Sequence, residues 1–437
     1  MRQGSKAALR NYLIEESESV RENPPHEENW LIDGMAAVKY VPAQQSWGKY
    51  AAALLKFCLP ASDSKPQQLG IIFDSYSKAT MKELTQRRRG TPGRRTRITS
   101  SEQDMPKGKD WDSFLRNSEN KTELMRFLVD YYKTDAVRSK LKVPLTVTEE
   151  DNTWLITQLK IEMLDSCNHH EADTRLILHA SKSTDPVIVR ATDTDVFVLL
   201  TYAYSVIKPL QDWMMKIDHE RYVSIKALTD RFGDEMCQAL PAYHSITGCD
   251  TTSFPFGVGK VKPLKKTKKL GKFQLLSQLG TSRTSVEDIA DAKTFFRTCM
   301  YAGSEHEEYV RTRIRMYDKQ KVKSSSSILP DESSTNEHLK RSDLQAFIWY
   351  QCLKQDIEYP SIKHRGWEET EDGIRPIWFT CPQFPPSLSV TSSRRRLTPG
   401  KYTFIYSKAT QGFHLLFQTC CLSFSNTIHS LILSKSI

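Results

Sequence analysis

Along the chain, short apolar runs alternate with stretches whose apolar residues recur at helical spacing. NWLIDGMAAV is an apolar run that reaches an acid at Asp33 and reads as a buried strand. SWGKYAAALLKFCL follows with helical spacing, and LGIIFDSY repeats the apolar run closed by an acid, here Asp74. Residues 111–136 return to helical spacing, with a break marked by Asn117, Ser118 and Asn120. In EADTRLILHAS, Ala172, Leu176 and Ala180 fall on one helical face. PVIVRA is a β-branched strand, ATDTDVFVLLTYAYSVI opens with acids and continues as a helix, and YVSI is a further strand. KALTDRFGDEMCQALPAYHSITGCD predicts one or two helices ending at a glycine. Strands alternating with helices predict an α/β fold whose mostly parallel sheet is covered by helices on both faces.

The flanks are less regular. Residues 1–28 are polar and acidic, with Pro24 and Pro25 near their end, and read as a partly ordered lead-in. Arg87 to Lys109 is rich in Arg, Gly, Pro and Ser and predicts a mobile loop or an extended basic helix. Residues 281–370 read as helical, interrupted by a Ser/Pro/Glu/Asn linker at 322–337. AFIWYQCL within that region suits a helix core better than a base-stacking platform. Residues 371–437 form a Pro/Ser-rich linker and a tail without clear periodicity. The expected organisation is a lead-in at 1–28, a main domain at 29–272 with a basic arch or cap inserted at 75–165, a helical region at 281–370, and the tail.

Composition narrows the class. With 437 residues, 39% apolar and 26% charged, the chain has the balance of a soluble protein with a sizeable core. No stretch reaches 18 apolar residues, so no membrane-spanning helix is expected. The N-terminus lacks an apolar core of the secretory type, so secretion is not expected. The nine cysteines lack paired spacing, which suits free thiols in a reducing compartment. The net charge of +10 is clustered in two runs. One contains Arg87, Arg88, Arg89, Arg94, Arg95 and Arg97; the other runs from Lys260 to Lys272. Such runs fit phosphate contact or nuclear import, and equally a solvated loop. A nuclear location is expected, otherwise a cytoplasmic one.

The chemistry-bearing feature is a set of acids at strand ends and helix starts: Asp33, Asp74, Glu171 with Asp173, Asp193 with Asp195, and Asp250. Ligands of parallel sheets bind beyond the carboxyl ends of the strands, so acids far apart in sequence converge there. One such Asp is ordinarily a helix cap. Several together suit a hard cation, because Mg²⁺ takes carboxylates, water and phosphate oxygens. Two such ions activate a water and stabilise a leaving oxygen. A nucleotide-sugar transferase would use the D-x-D alone and leave Glu171, Asp173 and Asp250 unexplained. Cys167, His169 and His170 lack the second ligand pair that zinc needs, so packing is the expected role.

The ordered set resembles the flap endonuclease and XPG-type nucleases, a branch of the PIN-like superfamily. The first-strand Asp is matched by Asp33, and the strand ending in F-D by IIFDSYSKATMKELTQRRR with Asp74. The E-A-[ED] helix is matched by Glu171-Ala172-Asp173, the D-x-D by Asp193-Thr194-Asp195, and the G-[CS]-D by Gly248-Cys249-Asp250. FPFGVGKVKPLKK resembles the glycine turn that grips duplex phosphates in that family. The chain is similar above all to members of this kind scattered through animal genomes, some descended from mobile elements. The resemblance implies a metal-dependent nuclease acting on structured DNA, or RNA, with two Mg²⁺ or Mn²⁺ ions held by Asp33, Asp74, Glu171, Asp173, Asp193, Asp195 and Asp250. It groups Asp193, Asp195 and Asp250 together, and Asp33, Asp74, Glu171 and Asp173 apart. It also implies that Lys82, Arg87 and Arg88 act on the scissile phosphate, and that Arg89, Gly257, Gly259, Lys260, Lys262 and Lys265 bind nucleic acid. A non-cutting binding or scaffold protein of the same fold is the alternative. The chain departs from the family at Thr251, where a Tyr is usual, and in the Lys-rich stretch after the glycine turn.

Overall fold

The apolar runs become strands of one nine-stranded sheet. The structure is a computed structural model that describes residues 5–23, 28–60, 66–76, 93–218, 221–281, 289–301, 303–319, 327–370 and 373–381. The strands are β1 (Val20–Arg21), β2 (Asn29–Asp33), β3 (Gln68–Ile72), β4 (Leu145–Glu149), β5 (Asn152–Ile156), β6 (Ile161–Leu164), β7 (Val187–Arg190), β8 (Trp213–Lys216) and β9 (Tyr222–Ser224). Their order is β1-β9-β8-β7-β2-β3-β4-β5-β6. The central strands β8, β7, β2, β3 and β4 run parallel, and antiparallel strands extend both edges.

Side chains alternate across the sheet, so each central strand feeds two cores. Leu31, Val187 and Val189 enter one core, together with helices α1 (Ala7–Ser17), α2 being on the opposite face (Gly34–Tyr40). Trp30, Ile32, Ile71 and Ile188 enter the other, with α3 (Trp47–Cys58) and α4 (Ser118–Lys133). The first core is completed by α5 (Ala172–Ser181), α6 (Thr194–Ile207), α7 (Asp234–Thr247), α8 (Val261–Leu270) and α9 (Glu332–Tyr350).

Three regions differ from the sequence expectation. The lead-in contributes α1, whose Leu9 and Leu13 are fully buried, and β1, which pairs with β9. Its few apolar residues sit one turn apart, which is enough to dock a helix on an existing core. The segment expected as an arch or cap holds α4 and the strands β4, β5 and β6, so most of it belongs to the sheet and its second core. The helical region at 281–370 shares the first core through Phe295, Cys299, Leu339 and Trp349. Residues 382–437 of the expected tail lie outside the described residues. Among the described residues, no helix is long and apolar enough to cross a membrane.

Candidate metal centre

The site is built at the carboxyl end of the parallel strands. Asp33 closes β2 and caps α2, its Oδ1 accepting from Ala36 N at 2.9 Å. Gly34 follows because a Cβ there would lie 2.5 Å from the ring of Phe73. Asp74 stands just beyond β3. Its Oδ1 accepts from Ala172 N at 2.7 Å and its Oδ2 from the Tyr76 hydroxyl at 2.8 Å. A carboxylate there meets the positive end of the helix dipole. Asp74 thereby holds the start of α5, with Glu171 at its cap and Asp173 in its first turn, against the end of β3.

Asp193 lies beyond β7 and caps α6, accepting from Asp195 N at 3.0 Å. The cap aims the D-x-D back towards α5. Asp173, Asp193 and Asp195 each offer an oxygen, and these atoms lie within 4.8 Å of one another. Oxygens bound to Mg²⁺ at about 2.1 Å are at most about 4.2 Å apart, so a small closing movement gathers this set around one hard cation. An all-carboxylate donor set of this kind fits Mg²⁺ or Mn²⁺ and not a thiolate-seeking metal.

Asp250 reaches the same place from α7. That helix ends at Gly248, whose φ of +111° and closeness to Phe254 exclude a Cβ, and the chain turns back through Cys249. Lys6, just before α1, joins the acids: its Nζ is 2.8 Å from Asp195 Oδ2, 2.9 Å from Asp250 Oδ2 and 3.5 Å from Asp193 Oδ1. Burial alone would lower the Lys6 pKa, but Asp195, Asp193 and Asp250 overcome it and hold the ammonium well above its ordinary value.

Asp195 Oδ1 is 2.7 Å from His244 Nε2. Burial, then the charge of Lys260, lowers the His244 pKa to about 4 against the pull of Asp195, so the ring is neutral. Nε2 therefore carries the proton and donates it. Nδ1 is a buried acceptor with no hydrogen-bond partner among the described residues.

The closest acid group thus crosses the expected division, taking Asp173 together with Asp193 and Asp195. Asp250 joins through Lys6, Glu171 and Asp74 flank Asp173 at the start of α5, and Asp33 ends the strand between β7 and β3. Lys82, Arg87, Arg88 and Arg89 lie outside the described residues. Gly257 and Gly259 are exposed with φ of +70° and +66°, and Lys262 and Lys265 are exposed on α8. Lys260 is different. It is 1% exposed, and its Nζ donates to His244 O at 2.9 Å and Thr247 Oγ1 at 2.7 Å. Burial lowers its pKa to about 7. A side chain spent inside on two acceptors does not reach a duplex, which corrects the expectation for this lysine. His169 has both ring nitrogens engaged, with Thr174 Oγ1 and Lys354 O, as packing requires.

The sequence reading missed Lys6 and His244. His244 carried a signal: it follows Leu240 by four residues on the buried face of α7. Lys6 carried none.

No family model matches the chain, and no curated protein matches it. Among solved structures, the catalytic core of Rad2 in complex with DNA substrate aligns with 80% of this chain and 87% of that chain, at 12% identity and a TM-score of 0.36. A likeness so loose leaves the chemistry of the site to be argued from its own residues.

Proposed function

We propose that the chain is a divalent-metal-dependent nuclease that hydrolyses phosphodiesters in structured DNA. The observation that carries this reading is the convergence of Asp173, Asp193 and Asp195 from two helix starts at the carboxyl end of a parallel sheet. Asp250, joined to the cluster through Lys6, is proposed as a fourth carboxylate, and Asp33, Asp74 and Glu171 as further ligands. A divalent ion bound there would polarise a water and neutralise charge on a phosphate. The chain's own groups do the positioning. Asp74 fixes the start of α5, the Asp193 cap fixes the D-x-D, and the His244 N–H holds one oxygen of Asp195 in place. Gly257, Gly259, Lys262 and Lys265, all exposed, are proposed to contact backbone phosphates. Lys82 and Arg87 to Arg89 are proposed to act on the scissile phosphate.

One observation favours a second reading, a nucleic-acid-binding protein that does not cut: the Lys6 ammonium already sits among three of the carboxylates. Labelled flap, bubble, duplex and single-stranded substrates incubated with Mg²⁺ or Mn²⁺ separate the two. Metal-dependent cutting that disappears in Asp195→Ala supports the nuclease. Binding without cutting by folded wild-type protein supports the second reading.

A further inference from the structure

We infer that Lys6 is a built-in cation of the acidic cluster: its ammonium holds the place of a second divalent ion among Asp193, Asp195 and Asp250, so the protein loads a single ion on the side of Asp173. This rests on the reading of the cluster as a metal centre.

Two overlapping sets of oxygens share Asp193 and Asp195. One set, with Asp173, lies within 4.8 Å and fits a metal ion. The other, with Asp250, is spanned by Lys6 Nζ at 2.8, 2.9 and 3.5 Å. An ammonium and a divalent ion cannot both take the Oδ2 atoms of Asp195 and Asp250, because the two cations would repel at contact distance.

The position of Lys6 is set by packing. The next helix, α1, buries Leu9 and Leu13 in the main core. Arg10 Nη1 donates to Thr192 O at 2.6 Å, directly before Asp193. The backbone at Lys6 is thus anchored to the segment that carries the D-x-D. The Lys6 side chain is 16% exposed, so leaving the cluster means giving up three charged partners for partial solvation.

The test counts Mn²⁺ ions per chain by the loss of the free-ion paramagnetic resonance signal. Ions lost in Asp195→Asn are assigned to the cluster. The full chain is compared with Lys6→Met, which removes the charge, and Lys6→Arg, which keeps it. The expected counts are one ion in the wild type, two in Lys6→Met and one in Lys6→Arg. Two ions in the wild type overturn the inference, since Lys6 is then displaced by metal. One ion in both the wild type and Lys6→Met overturns it too, since Lys6 then holds no ion's place. No cluster ion in any of the proteins overturns the metal-centre reading itself. If Lys6→Met does not fold, Lys6→Gln, which also removes the charge, takes its place: two ions sustain the inference and one overturns it.

Discussion

His244 Nε2 lies 2.7 Å from Asp195 Oδ1, at a carboxylate that also faces Asp173 and Asp193. The histidine is stacked on Trp349, with ring centroids 5.6 Å apart, so both its plane and its donor direction are fixed. Removing the donor takes away the group that orients Oδ1, while Lys6 still holds Oδ2. His244→Phe, which keeps a ring against Trp349, is expected to weaken Mn²⁺ binding about 10- to 100-fold, the usual effect of losing a group that orients a metal ligand. Calorimetric titration checks it. Unchanged affinity in a folded variant would show that the His244 N–H does not orient Asp195 for metal binding.

Lys260 and its neighbours on α8 separate a structural lysine from phosphate-binding ones. Lys260→Met leaves His244 O and Thr247 Oγ1 without their donor and is expected to cost about 1–3 kcal/mol of stability. It leaves the salt dependence of DNA binding unchanged. Lys262→Ala and Lys265→Ala should each lower the slope of log affinity against log salt by about 1, without loss of stability. Equal salt slopes in all three variants would remove Lys262 and Lys265 from the nucleic-acid surface.

His338 predicts an acid sensitivity unrelated to the metal centre. Its Nε2 is 2.8 Å from Ile246 O, and burial, then the charge of Arg341, lowers its pKa from 6.5 to about 4. The folded pKa lies below the unfolded one, so the unfolded chain takes up the proton first as pH falls. The stability due to a neutral His338 is fully present above pH 6.5 and is lost as pH falls towards 4. At about 1.4 kcal/mol per pH unit, the loss is on the order of 3 kcal/mol. Urea unfolding at several pH values should show this loss in the wild type and a flatter profile in His338→Gln. Parallel profiles would mean that His338 does not carry it.

The sequence made the individual acids legible and their grouping less so. Asp193 and Asp195 stand out because a β-branched run precedes them and a helix follows. That Asp173 lies beside them depends on Asp74 holding the start of α5, a contact across 98 residues that no local pattern encodes. Lys6 is 189 residues from Asp195, and the polar sequence around α1 hides the two leucines that dock it. The Thr-rich stretch from Leu145 to Ile156 shows the alternation of strands, yet it lies in a segment whose basic start suggested a cap. The inward turn of Lys260 was illegible for a simpler reason. A run of lysines gives their charge and not the direction in which each points.

The metal centre itself is tested most directly by anomalous scattering from crystals soaked in Mn²⁺. The account predicts an anomalous peak within bonding distance of carboxylate oxygens of Asp173, Asp193 and Asp195, absent from crystals of Asp195→Asn. Well-ordered crystals that show the carboxylates gathered with no such peak, at Mn²⁺ concentrations that support cleavage by related centres, would contradict it.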